Sequence, residues 1–210
     1  MDLKEEIKNI EMYSEKVKKL LNLIDEYIDM YDKFNKKFKM IVTELKEDFK
    51  SVFESEGFKV ESSNKRWEFY EIYNELVAEY KCLEFKFVTS RERYGTTNMY
   101  FQKSKPETDS IFINIKPNIN EYRVNINFKN IKKISGINEI EEIQKYIKNS
   151  RYSIEELDTI YNAIEYEKVN FLSEEIKKLE NYYFIGTEKD KGDNIKKIEF
   201  KTIKELIEQI

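Results

Sequence analysis

An α+β fold is what this sequence predicts, on three observations: a heptad stripe through the first fifty-odd residues, a block of period-two segments in the middle, and helix signals that return after Gly136. The expected architecture is a long N-terminal coiled-coil-like helix packed with further helices, plus an antiparallel β-meander of about four strands. It divides the chain into a helical arm over 1–57, a helix, meander and helix over 58–150, and a segment over 151–210 with helices, a short two-strand element and a terminal helix.

The stripe runs at alternating four- and three-residue steps through Leu3, Ile7, Ile10, Ser14, Val17, Leu21, Ile24, Ile28, Tyr31, Asn35, Phe38, Val42, Leu45, Phe49 and Val52. Thirteen of these fifteen positions are apolar and no Gly or Pro interrupts them, so one long helix seeking helical neighbours is expected, stopping at Gly57. At ~1.5 Å per residue it would reach ~75 Å. A second stripe, Tyr13, Leu20, Tyr27, Phe34 and Ile41, runs one position earlier and widens the apolar face. Asn35 at a core position is the kind of buried amide that fixes register and partner number. Homo-oligomerisation is therefore expected through Leu21, Ile24, Ile28, Tyr31, Asn35, Phe38 and Val42, against the plainer reading of an ordinary bundle helix.

From Asn64 to Lys81 the rings of Trp67, Tyr70, Tyr73 and Tyr80 with Val77 suit a second helix. The period then becomes two. Leu83-Phe85-Phe87, Met99-Tyr100-Phe101, Ile111-Ile113-Ile115 and Tyr122-Val124-Ile126-Phe128 read as the strands of the meander. Asn138 is placed to cap a helix running to about Asn149, and Ser153 with Glu156 makes a capping box. Tyr182–Ile185 and Ile195–Phe200 read as two strands, and Thr202 with Glu205 opens a terminal helix.

Composition removes several chemistries. No histidine is present, so imidazole zinc sites and Ser-His-Asp or Cys-His nucleophiles are excluded. The one cysteine, Cys82, permits no internal disulfide, and its apolar neighbours predict a buried thiol. Neither phosphate-binding glycine motif occurs, so no cofactor and no metal are expected. With no apolar run near ~20 residues, no membrane partner is expected and a cytoplasmic location is. The wealth of Lys, Asn, Ile, Glu and Tyr suits an AT-rich bacterial or phage coding sequence.

Two constellations could carry function. Between Cys82 and Lys133 ten basic residues face five acidic ones, a local +5 in a chain of net charge −4. On the outer face of the meander this would gather Lys86, Phe112, Asn114, Lys116, Arg123, Asn125, Asn127 and Lys129, a set able to follow phosphates and stack on bases, or to meet an anionic protein. A plain solvated sheet has the same composition. The second constellation is the pair of acid-x-Lys triplets, Glu84-Phe85-Lys86 and Glu199-Phe200-Lys201, the latter following Asp193; a Mg²⁺-dependent nuclease needs such carboxylates with a lysine. The acidic row Asp25, Asp29 and Asp32 reads as a solvated helix face. The expected function is a non-enzymatic interaction protein that binds another protein or itself, as an accessory or inhibitory factor of a phage, plasmid or host-defence system. Nucleic-acid binding through the basic face is the alternative, and a nuclease is the second alternative.

Overall fold

The computed structural model describes residues 3–67, 70–92, 97–104, 110–119, 124, 126–128, 132–134, 136–149, 152–189 and 194–210. The fold is α+β. A single helix, α1 (Leu3–Ser55), opens the chain. It stops where the glycine stands: Gly57 takes φ +82°, and the N–H groups of Gly57 and Phe58 donate to the carbonyls of Glu54 and Phe53 at 3.1 and 3.0 Å. The Phe58 ring closes this Schellman cap against Phe53, with centroids 5.1 Å apart.

The face that α1 buries is centred between the two expected stripes. Its core line is Leu20, Ile24, Tyr27, Phe34, Phe38, Ile41, Leu45, Phe49 and Phe53. Both stripes contribute to it: Ile24, Phe38, Leu45 and Phe49 come from the first, Leu20, Tyr27, Phe34 and Ile41 from the second. Leu21, Ile28, Asn35 and Val42, one residue further on and ~100° round the axis, are only half-buried. Burial follows the larger rings of Tyr27 and Phe34 instead of the amide of Asn35, because a fully sheltered ring gains more than an unpaired amide.

The chain forms two compact units, Met1–Lys36 with Tyr122–Lys177, and Lys37–Glu121 with Lys178–Ile210. The first holds the N-terminal part of α1, a hairpin of β6 (Ile126–Phe128) and β7 (Lys132–Ile134), α2 (Ile137–Lys148), α3 (Ile154–Glu167), a π-helical turn (Lys168–Leu172) and most of α4 (Ser173–Lys178). Helices α2 and α3 each bury one aliphatic line, Ile140-Ile143-Ile147 and Leu157-Ile160-Ile164. The cap of α2 is Gly136, not Asn138. Ser153 and Glu156 cap α3 reciprocally, as the spacing predicts. Polar ties to α1 run from Gln144 to Asp25 (2.6 Å), Lys16 to Asp158, and Lys168 to Glu26 (3.0 Å). Burial works to lower the Lys168 pKa, but the carboxylates of Glu26 and Glu165 outweigh it and raise it.

The second unit is built on a seven-stranded antiparallel sheet of order β1-β2-β3-β4-β5-β8-β9. The strands are β1 (Lys59–Trp67), β2 (Tyr70–Tyr80), β3 (Leu83–Glu92), β4 (Thr97–Ser104), β5 (Ile111–Pro117), β8 (Phe184–Lys189) and β9 (Ile195–Phe200). The helix expected over Asn64–Lys81 is therefore a β-hairpin. Leu76 and Ala78, inward at period two, are buried opposite Phe87 and Phe85, and the half-buried Val77 lies between them. Ring-rich sequence takes whichever structure can bury alternate side chains. The C-terminal strand pair extends this same sheet through β5, while the described end of the expected fourth strand, Ile126–Phe128, is β6 of the separate two-stranded sheet.

One face of the sheet packs on the C-terminal part of α1. Phe49 stands 5.8 Å from Phe87 and 6.3 Å from Phe101, and Phe53 stands 4.6 Å from Phe85. A short final helix, α5 (Ile203–Ile207), buries Ile203 and Leu206; Thr202 caps it, and the Glu205 carboxylate accepts from the Lys201 N–H.

The turn joining β2 to β3 is Lys81-Cys82, with Lys81 at φ +53°. Cys82 is exposed there, so the expectation of a buried thiol is corrected: a two-residue loop at a hairpin tip has no core to enter. A left-handed residue with a Cβ costs about 1–2 kcal/mol. Lys81→Gly removes that cost, adds about 0.5–1 kcal/mol of backbone entropy, and loses an ammonium 5.2 Å over the Tyr80 ring, worth about 0.5 kcal/mol. The expected net in urea unfolding lies between a loss of ~0.5 and a gain of ~1 kcal/mol. A loss above ~1 kcal/mol would show that this turn carries no strain.

Candidate interaction surface

The open face of the sheet is set by the alternation of β5. Ile113 and Ile115 point into the core, leaving Phe112, Asn114 and Lys116 exposed on the other side. Register brings Lys86 of β3, Gln102 of β4 and Phe112 of β5 into one row across the strands. The next row is Val88, Tyr100, Asn114, Thr187 and Lys197. Four of the predicted surface residues, Lys86, Phe112, Asn114 and Lys116, thus share a face. Arg123, Asn125 and Lys129 lie outside the described residues, and Asn127 sits in β6 of the two-stranded sheet.

At the centre of this face Phe112 stacks on Tyr100, centroids 4.8 Å apart and planes 30° apart, while 44% of Phe112 stays in water. Gln102 beside it donates to Ser104 at 3.1 Å, and the Thr187 hydroxyl donates to the Asn114 carbonyl at 3.4 Å. Glu75 and Val88 on the same face are buried, so the open area is the part around Phe112.

Among the described side chains of this face the charge is balanced, and Arg123 and Lys129 of the expected basic patch lie outside the described residues. Register puts Glu61, Glu75, Glu79, Glu84 and Glu199 on this face together with Lys59, Lys86, Lys116, Lys189 and Lys197. Lys86 is paired to Glu84 at 3.0 Å. Lys59 is paired to Glu61, and that hydrogen bond and charge hold the Glu61 carboxyl below its ordinary pKa and raise that of Lys59. The acidic residues come largely from β1 and β2, strands hidden in the sequence behind a helical spacing.

The two acid-x-Lys triplets do not converge. Glu84 and Lys86 sit on β3, whereas Glu199 and Lys201 belong to β9 and the residue after it, four strand spacings away, roughly 19 Å at ~4.8 Å each. Asp193 lies outside the described residues. Among those described, no cluster of three or more acidic or thiol ligands could hold a metal, and no helix is long and apolar enough to cross a membrane. Of the residues predicted for oligomerisation, Ile24 and Phe38 are buried within the chain itself, and Leu21, Ile28, Tyr31, Asn35 and Val42 are half-buried. Tyr100 and Gln102, which the sequence reading left out, complete the surface; only the strand register reveals them. No family model, curated protein or solved structure matches this chain.

Proposed function

We propose that this chain is a non-enzymatic interaction protein whose open sheet face binds another protein. The supporting observation is Phe112: a phenyl ring held in water, ordered beforehand by its stack on Tyr100 and rimmed by Gln102, Asn114 and Lys86. An aromatic anchor within a polar rim is the common composition of a protein interface, and its energy concentrates on the ring. The balanced charges of its described residues favour a mixed protein surface over a phosphate backbone, which would need a surplus of cations to displace counterions. The proposed setting, an accessory or inhibitory factor of a phage, plasmid or host-defence system, rests on residue bias alone.

The test is capture of partners from the native host by the immobilised full chain, with and without nuclease. A protein retained after nuclease treatment, and reduced at least ~10-fold by Phe112→Ser, is the expected result. Phe112 keeps 44% of its surface in water, so the variant should stay folded and lose about 0.5–1.5 kcal/mol with the stack on Tyr100. Retention unaffected by Phe112→Ser would remove this face from consideration. A partner stripped by nuclease would turn the reading to the nucleic-acid alternative.

A further inference from the structure

Strand β9 ends the seven-stranded sheet on one side, pairing with β8 and, among the described residues, with no strand beyond it. Along such an edge the backbone groups of alternate residues point away from the sheet. On β9 these residues are Ile195, Lys197 and Glu199, because the Glu199 carbonyl is turned outward and accepts from the Gln209 side-chain amide at 3.2 Å. That amide is a thin guard for a strand edge. Just past the strand, the Lys201 N–H is already taken by the Glu205 carboxylate, so the open ladder is short. The side chains of Ile195, Lys197 and Glu199 are exposed, Ile195 by 64%, on the face opposite the buried Ile198 and Phe200. No ion pair among the described residues occupies Lys197 or Glu199.

We infer that this edge pairs with the same edge of a second copy, antiparallel about a two-fold axis through Ile198, so that the two sheets continue as one. The charges choose both the occupant and the register. Centred on Ile198, the pairing sets Lys197 of each copy directly opposite Glu199 of the other, on one face of the joined sheet. Moving the axis by one residue brings like charges together. Centred on Lys197, that lysine meets itself; centred on Glu199, the carboxylate meets itself and Lys197 meets Lys201. In the favoured register the outward N–H and C=O groups of Lys197 and Glu199 exchange about four hydrogen bonds across the axis. The Glu199 carbonyl trades its bond from Gln209 for one from the Lys197 N–H of the other copy, a nearly even exchange. The Lys201 stem of each copy lies over Ile195 of the other. These hydrogen bonds and a symmetric pair of salt bridges make a small interface, so the dimer dissociates reversibly. The contact uses the edge of the sheet, not the Phe112 ring, and does not depend on the protein-binding reading of that ring.

Sedimentation equilibrium of the full chain over a concentration series tests it. The mass should rise from 25.5 kDa toward twice that value. Lys197→Pro removes an N–H that points away from its own sheet, a place where edge strands accept proline, so the circular dichroism spectrum should be unchanged. Association should weaken by at least ~30-fold, because the N–H is lost from both halves of the symmetric ladder. Lys197→Glu and Glu199→Lys should each weaken it by about 3- to 30-fold, and the two together should restore it. These charge variants decide independently of the proline, since both side chains are exposed. A constant 25.5 kDa up to ~1 mM would overturn the inference and leave the edge to an extended segment of another protein. So would a dimer that survives Lys197→Pro, or a charge-exchanged double variant that associates no better than the single ones.

Discussion

Phe49→Ala should cost about 3–5 kcal/mol in urea unfolding, the largest effect expected of any single substitution in this chain. Phe49 is fully buried and is the ring through which α1 grips the sheet: Phe53 lies 4.6 Å away on the helix, and Phe87 and Phe101 lie across from it on adjacent strands. Truncation removes the transfer free energy of a phenyl group and leaves a cavity walled by three other rings. Those rings are anchored in β3, β4 and α1 and cannot all move in to fill it, so the cavity component persists. Phe49→Leu, which keeps most of the volume, should cost about 1–1.5 kcal/mol. If the alanine variant lost under ~1 kcal/mol, helix and sheet would be held together by something other than these rings.

Gly186→Ala is the second. In β8, between β5 and β9, a Cβ at this position would stand 2.9 Å from Ile113 Cγ2 and 3.4 Å from Phe200 Cε1. Two effects compete. Replacing glycine in a strand gains about 0.5–1 kcal/mol by removing unfolded-state entropy. Crowding a methyl group against a branched side chain in a filled core costs about 1–3 kcal/mol. Hydrogen-bonded neighbours on both sides keep β8 from shifting, so crowding should win and the variant should lose about 1–2 kcal/mol net. Adding Ile113→Ala removes the methyl group that collides, so the double variant should be more stable than the sum of the singles by about 1 kcal/mol. Additive losses would mean that the alanine is accommodated elsewhere.

What could be read in advance divides along physical lines. Long α1, its stop at Gly57 and the Ser153–Glu156 cap depend on local rules, and the structure has them where expected. The strands β3, β4 and β5 were legible because Phe85-Phe87, Met99-Phe101 and Ile113-Ile115 alternate with polar neighbours. For the same reason Lys86, Phe112, Asn114 and Lys116 could be assigned to one face. The hairpin of β1 and β2 was not legible. Trp67, Tyr70, Tyr73, Val77 and Tyr80 happen to fit a helical step, and its connection to β3 lacks a glycine. That hairpin brings Glu61, Glu75 and Glu79 to the face on which Lys86 stands. In α1 two apolar stripes one residue apart differ only in which neighbours arrive to cover them, a tertiary matter. The exposure of Leu3, Ile7 and Ile10 is equally a tertiary matter.

The pairing of Ile115 with Gly186 joins strands separated by the whole stretch that forms β6 to α4. During synthesis β5 therefore leaves the ribosome with one side unpaired, and that side stays open until the segment from Phe184 onward has emerged. Until then its row of free N–H and C=O groups, with the aliphatic Ile113 and Ile115 beside it, is a template for other nascent chains. Yield of native protein in the cell should thus depend on the speed of translation between Pro117 and Phe184, and chains cut short before Phe184 should accumulate in the insoluble fraction.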